Sequence, residues 1–298
     1  MARPVRFRVV PQEEGMMLGH LLARRLPGTS LEQGKSLVRA GAVYMGHLRI
    51  RVPTARVAAG ERISVWTEAL TEQELPVDVV NIVWRDEDVV VLDKPAGVAV
   101  AATRQSARGT LSEALRRTLE AEGVLRPYVG IVHRLDRGAS GLVLFTVRSV
   151  ANTSVHKQFV EHAIDRRYRV RVHGEVPEMY DCDAPLLEMH SGTSKVAPGN
   201  PHSRDARTHF RRLEPAVAIA GTSLVEATLE TGRHHQIRVH TAHCGHAVLG
   251  DRRYGSEDGA QRLLLHAAHL RLTHPQDGRV IDVAAVLPEW ARAVDDPA

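Results

Sequence analysis

The 298-residue sequence has only two cysteines, Cys182 and Cys244, and no long uncharged apolar run. Two cysteines cannot form the disulfide framework typical of small secreted proteins. The first ten residues lack the apolar segment of a secretory signal, and no stretch approaches the 18 apolar residues that a membrane-spanning helix needs. We therefore expect a protein of the reducing cytoplasm that does not enter a membrane.

Lysine and aromatic residues are also scarce. Of 39 basic residues four are lysine, which leaves 35 arginines, and aromatic residues make up 4% of the chain. This bias has two interpretations: a GC-rich coding sequence, or phosphate recognition by guanidinium groups. The formal net charge of +4 is too small to decide between them. Basic residues nevertheless outnumber acidic ones roughly two to one over residues 1–70, which indicates a nucleic-acid-binding module there.

The pattern of residues 1–70 predicts two helices followed by short strands. Apolar residues recur at helical spacing from Met17 to Leu26, and Ser30 is a typical helix N-cap before a second helical segment. This order, with basic Lys35 and Arg39 on the second helix, resembles the S-four-like RNA-binding domain. A generic small α/β domain is the alternative. The polar residues 71–76 are interpreted as a linker, and residues 77–298 as a second, larger domain.

Residues 77–298 read as a mixed α+β domain. Several β-branched runs are bounded by charged and turn residues, as in GLVLFTV, YRVRVHGEV and SLVEATLE. Helical patterns cover residues 110–122, 149–162 and 235–245. Because strands outnumber helices and do not alternate with them, we expect a mixed, largely antiparallel sheet and not a doubly wound parallel one.

The segment GIVHRLDRGASGLVLFT, residues 130–146, places a polar group of residues before a strand. Within it Asp136 lies close to Arg134 and Arg137, and nearby cations favour an ionised carboxylate. On a loop at a sheet edge such a carboxylate is a candidate nucleophile or base. A salt-bridged turn is the alternative.

Six motifs in order then resemble the RluA-type pseudouridine synthases. HRLDRGASG is similar to the family signature, with Ala139 where threonine is usual. DKPAGV and DRRYRV resemble the elements on either side of it along the chain, and the C-terminal half contains TGRHHQIRVH, GDRRYG and LLLHA followed by THP. The resemblance covers residues 82–289 and implies the pseudouridine synthase fold.

The resemblance also implies roles for individual residues. Asp136 would be the catalytic carboxylate, Arg134 would fill the space that the extruded base leaves in the RNA, Tyr168 would stack on the freed base and take part in a late proton transfer, and Arg238 would pair with Asp136. Lys94, Arg166 and Arg233 are expected as RNA contacts, although Lys94 and Arg233 could instead brace the site.

The implied activity is isomerisation of uridines in structured RNA, with large-subunit ribosomal RNA as the expected substrate. Transfer RNA is the alternative substrate, and a non-catalytic RNA-binding assembly factor is the alternative function. We expect no cofactor or metal, because the isomerisation needs neither redox chemistry nor an external group. We also expect a monomer. Clustered histidines such as His240 and His243 prompted a metal-hydrolase alternative, but their spacing is not that of H-E-x-x-H and no acid lies among them.

Overall fold

The computed structural model describes residues 4–67, 79–101, 109–189, 191–255 and 257–296. The expected linker at 71–76 lies outside these residues. The chain divides into two compact units, one made of 1–79 with 99–122 and the other of 80–98 with 123–298. In the described part of the chain no helix is both long and apolar enough to cross a membrane.

The first unit contains a four-stranded antiparallel sheet and three α-helices among its described residues. Its strand order is β1-β4-β2-β3. The elements are β1 (Val5–Arg8), α1 (Leu18–Arg25), α2 (Leu31–Arg39), β2 (Val43–Met45), β3 (Leu48–Ile50), β4 (Arg62–Val65) and α3 (Leu111–Ala121). β1 lies within the first 14 residues, where the sequence pattern predicted no element, and it pairs with β4 along its whole length.

The helices α1 and α2 of the first unit form where the sequence has an N-cap residue or apolar residues at helical spacing. Ser30 caps α2 by accepting a hydrogen bond from the Gln33 backbone N–H, and the Gln33 side chain accepts one from the Ser30 N–H in return. Leu18, Leu21 and Leu22 of α1 and Leu37 of α2 are fully buried, and they share one core with β2 and β4, to which Ile63 of β4 belongs. Two helices followed by short strands match the order expected from the sequence.

The second unit is built on a ten-stranded mixed sheet. The main strand order is β10-β13-β14-β9-β15-β8-β6-β5; β16 pairs with β15 and β7 with β8. Its elements are β5 (Asn81–Arg85), β6 (Val89–Lys94), β7 (Gly130–Ile131), β8 (Ser140–Thr146), α4 (Ser149–Val160), β9 (Asp165–His173), β10 (Met179–Cys182), β11 (Leu186–Glu188), β12 (Ser194–Val196), β13 (Thr208–Leu213), β14 (Thr222–Leu229), α5 (Gln236–His243), β15 (Leu265–Thr273) and β16 (Val280–Ala284).

One pairing in the large sheet is parallel, that of β15 with β8, and the described remainder of the sheet is antiparallel. The β11–β12 hairpin stands apart from it. The expectation of a mixed, largely antiparallel sheet is therefore confirmed. β8 is buried along its whole length, because it lies between β6 and β15.

Gly141 makes the parallel contact sterically feasible. Its φ of +104° is rarely adopted by residues with a side chain, and a Cβ there would lie 2.2 Å from the carbonyl oxygen of Ala267 on β15. The Ser140 hydroxyl, one residue earlier, lies 2.9 Å from Nδ1 of His266 on the same strand. The end of the 132–139 loop is thus held close to β15.

Candidate active site

Asp136 lies on the loop between β7 and β8, the part of the sequence with the richest motif. Its carbonyl accepts a hydrogen bond from the Ala139 N–H at 3.1 Å, which closes a turn just before β8 begins. Its side chain is 19% exposed, so the carboxylate is accessible but largely surrounded by protein. The turn aims it at the N-terminal part of α5.

Lys94, the last residue of β6, binds this loop through backbone carbonyls. Its side chain is fully buried, and its ammonium lies within hydrogen-bonding distance of the carbonyls of Pro95, Val98, Arg137 and Ala139. Burial lowers the pKa of Lys94 to about 8, although Asp136 and Asp93 oppose the shift. Such burial argues against the expected RNA contact and favours the alternative that Lys94 braces the site.

Arg238 on α5 joins two carboxylates. Its Nη1 donates to Asp136 Oδ2 at 2.8 Å, and its Nε and Nη2 donate to the two oxygens of Asp251 at 2.7 Å each. Burial alone would lower the pKa of the Arg238 guanidinium, but the hydrogen bonds and charges of Asp251 and Asp136 outweigh it and raise that pKa. The guanidinium is therefore a permanent cation held in one orientation.

Asp251 fixes the far side of Arg238. Its side chain has no exposed surface, and Oδ1 also accepts the backbone N–H groups of Arg253 and Tyr254 at 3.0 and 3.2 Å. Burial would raise the pKa of Asp251, but the hydrogen bonds and charge of Arg238 and the backbone donors outweigh it and lower that pKa. The sequence showed Asp251 only as part of the motif GDRRYG and did not predict that it is the second partner of Arg238.

Helix α5 is anchored by buried polar side chains. Gln236 accepts from the Thr231 hydroxyl at 2.8 Å and donates to the Arg207 carbonyl at 3.0 Å. His240 is fully buried, with its ring nitrogens 2.9 Å from the Thr208 hydroxyl and 3.0 Å from the Ala184 carbonyl. The ring is thus engaged by the core, and the described residues contain no group of three His, Cys, Asp or Glu side chains that could hold a metal.

Tyr168 lies in the middle of β9, between Ala227 of β14 and Ala267 of β15. Only 7% of it is exposed. Burial raises the pKa of its phenol, the charge of Arg166 opposes the shift, and the charge of Asp136 adds to it. The phenol is therefore protonated at neutral pH.

His235 and Tyr254 complete the surroundings of Asp136, and neither was singled out from the sequence for this role. His235 Nε2 lies 3.6 Å from Asp136 Oδ1, on the side of the carboxylate opposite to its contact with Arg238. The Tyr254 hydroxyl lies 2.7 Å from His235 Nδ1, and the Arg238 guanidinium lies over the Tyr254 ring at 5.0 Å from its centroid. The available signals were the motifs TGRHHQIRVH and GDRRYG, whose residues meet here.

The remaining predicted site residues differ in exposure. Arg134 is exposed on the Asp136 loop, and Arg233 is partly exposed, with Nε donating to the Asp205 carbonyl at 2.8 Å. Arg166 is only 7% exposed and lies over the Phe159 ring, which argues against a direct phosphate contact. The structure thus gathers Asp136, Arg238 and Lys94 in direct or near contact.

Comparison with known families gives one match to a family model. The model for RNA pseudouridylate synthase matches residues 88–243, which include most of the elements that build this site.

Named relatives extend the match to almost the whole chain. The chain is 35% identical to the ribosomal large subunit pseudouridine synthase D of Zymomonas mobilis, over 92% of this chain and 91% of that protein. It is 31% identical to the ribosomal large subunit pseudouridine synthase C of Escherichia coli, over 94% and 92%.

Among solved structures, human RNA pseudouridylate synthase domain containing 1 superposes with a TM-score of 0.60 at 24% identity, covering 73% of this chain and 87% of that one. Human RNA pseudouridylate synthase domain containing 4 gives 0.58 at 21%, covering 70% and 88%. At these identities the likeness concerns the fold.

Proposed function

The chain belongs to the RluA-type family of RNA pseudouridine synthases, which are isomerases, and from this we propose that it modifies large-subunit ribosomal RNA with Asp136 as the reacting carboxylate. The observation that carries the assignment of the carboxylate is the contact of Asp136 with Arg238, which is itself held by Asp251. The ribosomal substrate is supported by the names of relatives whose alignments cover more than nine-tenths of this chain.

The chemistry that this carboxylate has to support is an exchange of bonds within one nucleotide. The bond between the ribose C1′ and the uracil N1 breaks, the base rotates, and a bond forms between C1′ and C5. The hydrogen on C5 leaves as a proton and N1 gains one, so atoms and electrons balance without an external reactant. An ionised carboxylate at the ribose or base can act as nucleophile or as base in these steps.

Asp136 is suited to this role because one of its oxygens is held and the other is free of short contacts. Arg238 binds Oδ2 at 2.8 Å, while Oδ1 has its nearest ion-pair partner, His235, at 3.6 Å. The guanidinium holds Oδ2 of the carboxylate in a largely enclosed site, and Asp251 keeps the guanidinium from turning. A substrate atom can therefore approach Oδ1 along a defined direction.

Tyr168 supplies the aromatic face beside which the freed base can turn. Its ring is fixed in the middle of β9 and its phenol keeps its proton at neutral pH. It can therefore stack on uracil and also give or pass on a proton late in the reaction. Mutation to phenylalanine would separate the two roles, because the stacking face remains.

Arg134 is proposed to occupy the space that the base leaves in the RNA. Extrusion of a base costs roughly a few kcal/mol of stacking and pairing, which an inserted planar side chain can offset. Arg134 is exposed on the same loop as Asp136, two residues away. Of the three expected RNA contacts, only Arg233 is partly exposed, and it remains a candidate RNA contact. Lys94 and Arg166 are buried and are proposed to support the site.

The first unit is proposed to bind RNA through its sheet. Arg8 and Arg62 are exposed and lie directly opposite each other on β1 and β4, and Arg6 is exposed on the same strand as Arg8. Like charges at facing positions destabilise a sheet, and a bound phosphate would relieve that repulsion. Lys35 on α2, by contrast, is already paired with Glu32 at 2.7 Å.

The test of the function is a map of pseudouridines in total RNA from wild-type cells and from cells lacking this gene. We expect positions in large-subunit ribosomal RNA to lose pseudouridine and to regain it with the wild-type gene but not with Asp136→Asn. Thermal melting of the purified variant checks that it is folded.

Three outcomes would contradict parts of the proposal. Loss of pseudouridine confined to transfer RNA would refute the ribosomal substrate. Full restoration by Asp136→Asn would refute the role of the carboxylate. An unchanged map, together with no conversion by the purified protein, would favour the non-catalytic assembly factor.

A further inference from the structure

His235 stands at the start of α5 in an unusual backbone conformation. Its φ of 57° and ψ of 24° place it in the left-handed region, which histidine and asparagine enter more readily than most residues. This conformation turns the imidazole away from the helix and towards Asp136. The side chain is 9% exposed, and Nε2 lies 3.6 Å from Asp136 Oδ1.

The partner on the other ring nitrogen decides which nitrogen carries the proton. The Ser194 backbone N–H donates to the Tyr254 hydroxyl oxygen at 2.8 Å, so this oxygen already accepts one hydrogen bond. The hydroxyl can then donate its own hydrogen to His235 Nδ1, 2.7 Å away. With Nδ1 accepting, a neutral imidazole carries its hydrogen on Nε2, the atom that faces Asp136.

His235 is uncharged at neutral pH. Burial lowers the pKa of His235 to about 4; the charge of Asp136 opposes this shift, and Arg238, His234 and Arg253 add to it. The Arg238 guanidinium is therefore the permanent cation bonded to Asp136, and His235 offers a hydrogen-bond donor without a second positive charge.

The neighbouring ring limits how far His235 can turn. His234 stacks on His235 with 3.7 Å between ring centroids and 27° between planes. His234 itself lies 3.3 Å, through Nδ1, from the Ser194 hydroxyl. Ser194 thus contacts both the Tyr254 hydroxyl and His234, so the two side chains that flank His235 are tied to the β12 strand.

We propose that His235 is a positioning residue for Asp136, presenting Nε2–H to the carboxylate oxygen that Arg238 does not hold, with Tyr254 setting the tautomer. This inference rests on the proposed function, because it takes Asp136 as the reacting group. The contact of 3.6 Å is long for a hydrogen bond, and catalytic hydrogen bonds commonly tighten when substrate fills the site.

A neutral donor suits this position for an electrostatic reason. A carboxylate that reacts as a nucleophile or base must keep negative charge on the reacting oxygen. A second cation on Oδ1 would hold that charge strongly, whereas a neutral N–H orients the oxygen with a weaker attraction. His235 therefore limits rotation of the carboxylate while leaving it reactive.

The test compares His235→Asn with His235→Gln. Asparagine tolerates the left-handed backbone but is too short to reach Asp136, whereas the glutamine amide can place an N–H close to the position of Nε2. We expect His235→Asn to lower the single-turnover rate by about 10- to 100-fold, the size of one lost hydrogen bond to a charged group. His235→Gln should recover most of this loss, and the dissociation constant for RNA should stay unchanged in both.

Tyr254→Phe tests the tautomer without changing His235. The ring under Arg238 remains, but nothing then donates to His235 Nδ1 from this side, so the lone pair of Nε2 can face the carboxylate in part of the molecules. We expect a lower single-turnover rate for this variant as well. In ¹⁵N spectra of the wild-type histidines at neutral pH, His235, assigned by its loss in His235→Gln, should show a protonated Nε2 and an unprotonated Nδ1.

Any one of three results would overturn the inference. The first is a wild-type rate for His235→Asn, and the second is a His235→Gln variant as slow as His235→Asn. The third is an imidazolium or an Nδ1-protonated ring for His235 in the wild-type spectrum. Failure of the proposed function looks different: Asp136→Asn would then be active, while the tautomer of His235 would remain as measured. If Asp136→Asn is inactive and both His235 variants are fully active, only the positioning role is refuted.

Discussion

Replacing Arg238 with lysine should damage both stability and activity, although the charge is conserved. Arg238 makes three hydrogen bonds of 2.7–2.8 Å to two carboxylates, and its planar fork fits both at once. A lysine ammonium at the end of a flexible chain can approach Asp136 or Asp251 but cannot reproduce the paired bonds to Asp251. The change therefore separates the contribution of geometry from that of charge.

The size of the effect follows from the bonds that are lost. Hydrogen bonds to charged groups contribute about 1.5–3 kcal/mol each, and the substitution removes two of the three. Asp251 keeps the backbone donors of Arg253 and Tyr254, which offset part of the loss. We therefore expect the free energy of unfolding to fall by about 2–4 kcal/mol.

The effect on rate comes from the position of Asp136. A carboxylate that is no longer held at Oδ2 can rotate or shift, and misplacement of a reacting group by about 1 Å can cost roughly 100-fold in rate. We expect a loss of that order in the single-turnover rate of Arg238→Lys, which corresponds to about 2.7 kcal/mol.

Two measurements check this prediction. Release of tritium from RNA labelled at uracil C5 follows the reaction, because the C5 hydrogen leaves when the new bond forms, and urea unfolding gives the stability. Arg271→Lys is the matched control, since Arg271 is 56% exposed on β15 and pairs with Asp282 at 3.8 Å. The control should change both quantities little. If Arg238→Lys stays within threefold of wild type in rate, charge alone suffices and the geometric reasoning is refuted.

Three further predictions concern stability. Gly141→Ala should prevent stable folding, because the added Cβ would meet the Ala267 carbonyl at 2.2 Å with φ at +104°; a melting temperature equal to that of wild type would contradict this. Lys94→Met should remove a pH dependence: the lowered pKa of Lys94, about 8, makes the unfolded state bind more protons, so the stability of wild type relative to the variant should rise by up to about 3 kcal/mol from pH 8 to 10.5. If the free energy of unfolding, measured with urea, changes equally with pH in wild type and variant across that range, this prediction is refuted. Asp258→Asn should destabilise the protein at neutral pH by about 1–3 kcal/mol, because Asp258 accepts hydrogen bonds from Gly250 and Ala260 N–H groups and from a histidine. The first of these bonds is the main cause of its lowered pKa, about 2, so the stabilisation should fade as the pH falls from about 4 towards 2, and a difference that persists below pH 2 would argue against it.

Much of the fold could be predicted because its signals are local. The apolar spacing from Met17 to Leu26 requires only one buried helix face, and α1 (Leu18–Arg25) follows it closely. The apolar run after Gly141 predicts a buried strand, and β8 is buried throughout. The sequence pattern gave no signal for β1, since β1 has only four residues and its partner, β4, lies more than fifty residues away.

The sequence identified some members of the candidate site and one of its contacts. Asp136, Tyr168 and Arg238 were named through a family resemblance, and the structure places Arg238 on Asp136. Lys94 was expected at RNA, yet it is fully buried, because a sequence does not show whether a lysine beside a loop turns inward to its carbonyls. His235 was recognised only as part of the motif TGRHHQIRVH, since its left-handed backbone, which aims it at Asp136, cannot be recognised from spacing.

The sequence by itself determined the family and the mixed sheet and indicated Asp136 as the candidate carboxylate, because ordered motifs and local hydrophobic patterns are written along the chain. The tertiary structure decided what surrounds that carboxylate. Asp136 and Arg238 are 102 residues apart, and Asp251 and Tyr254 arrive from a further loop. Which oxygen is held, which is left open and which histidine nitrogen faces it depend on sub-ångström placement of distant segments, which only their packing on the shared sheet fixes.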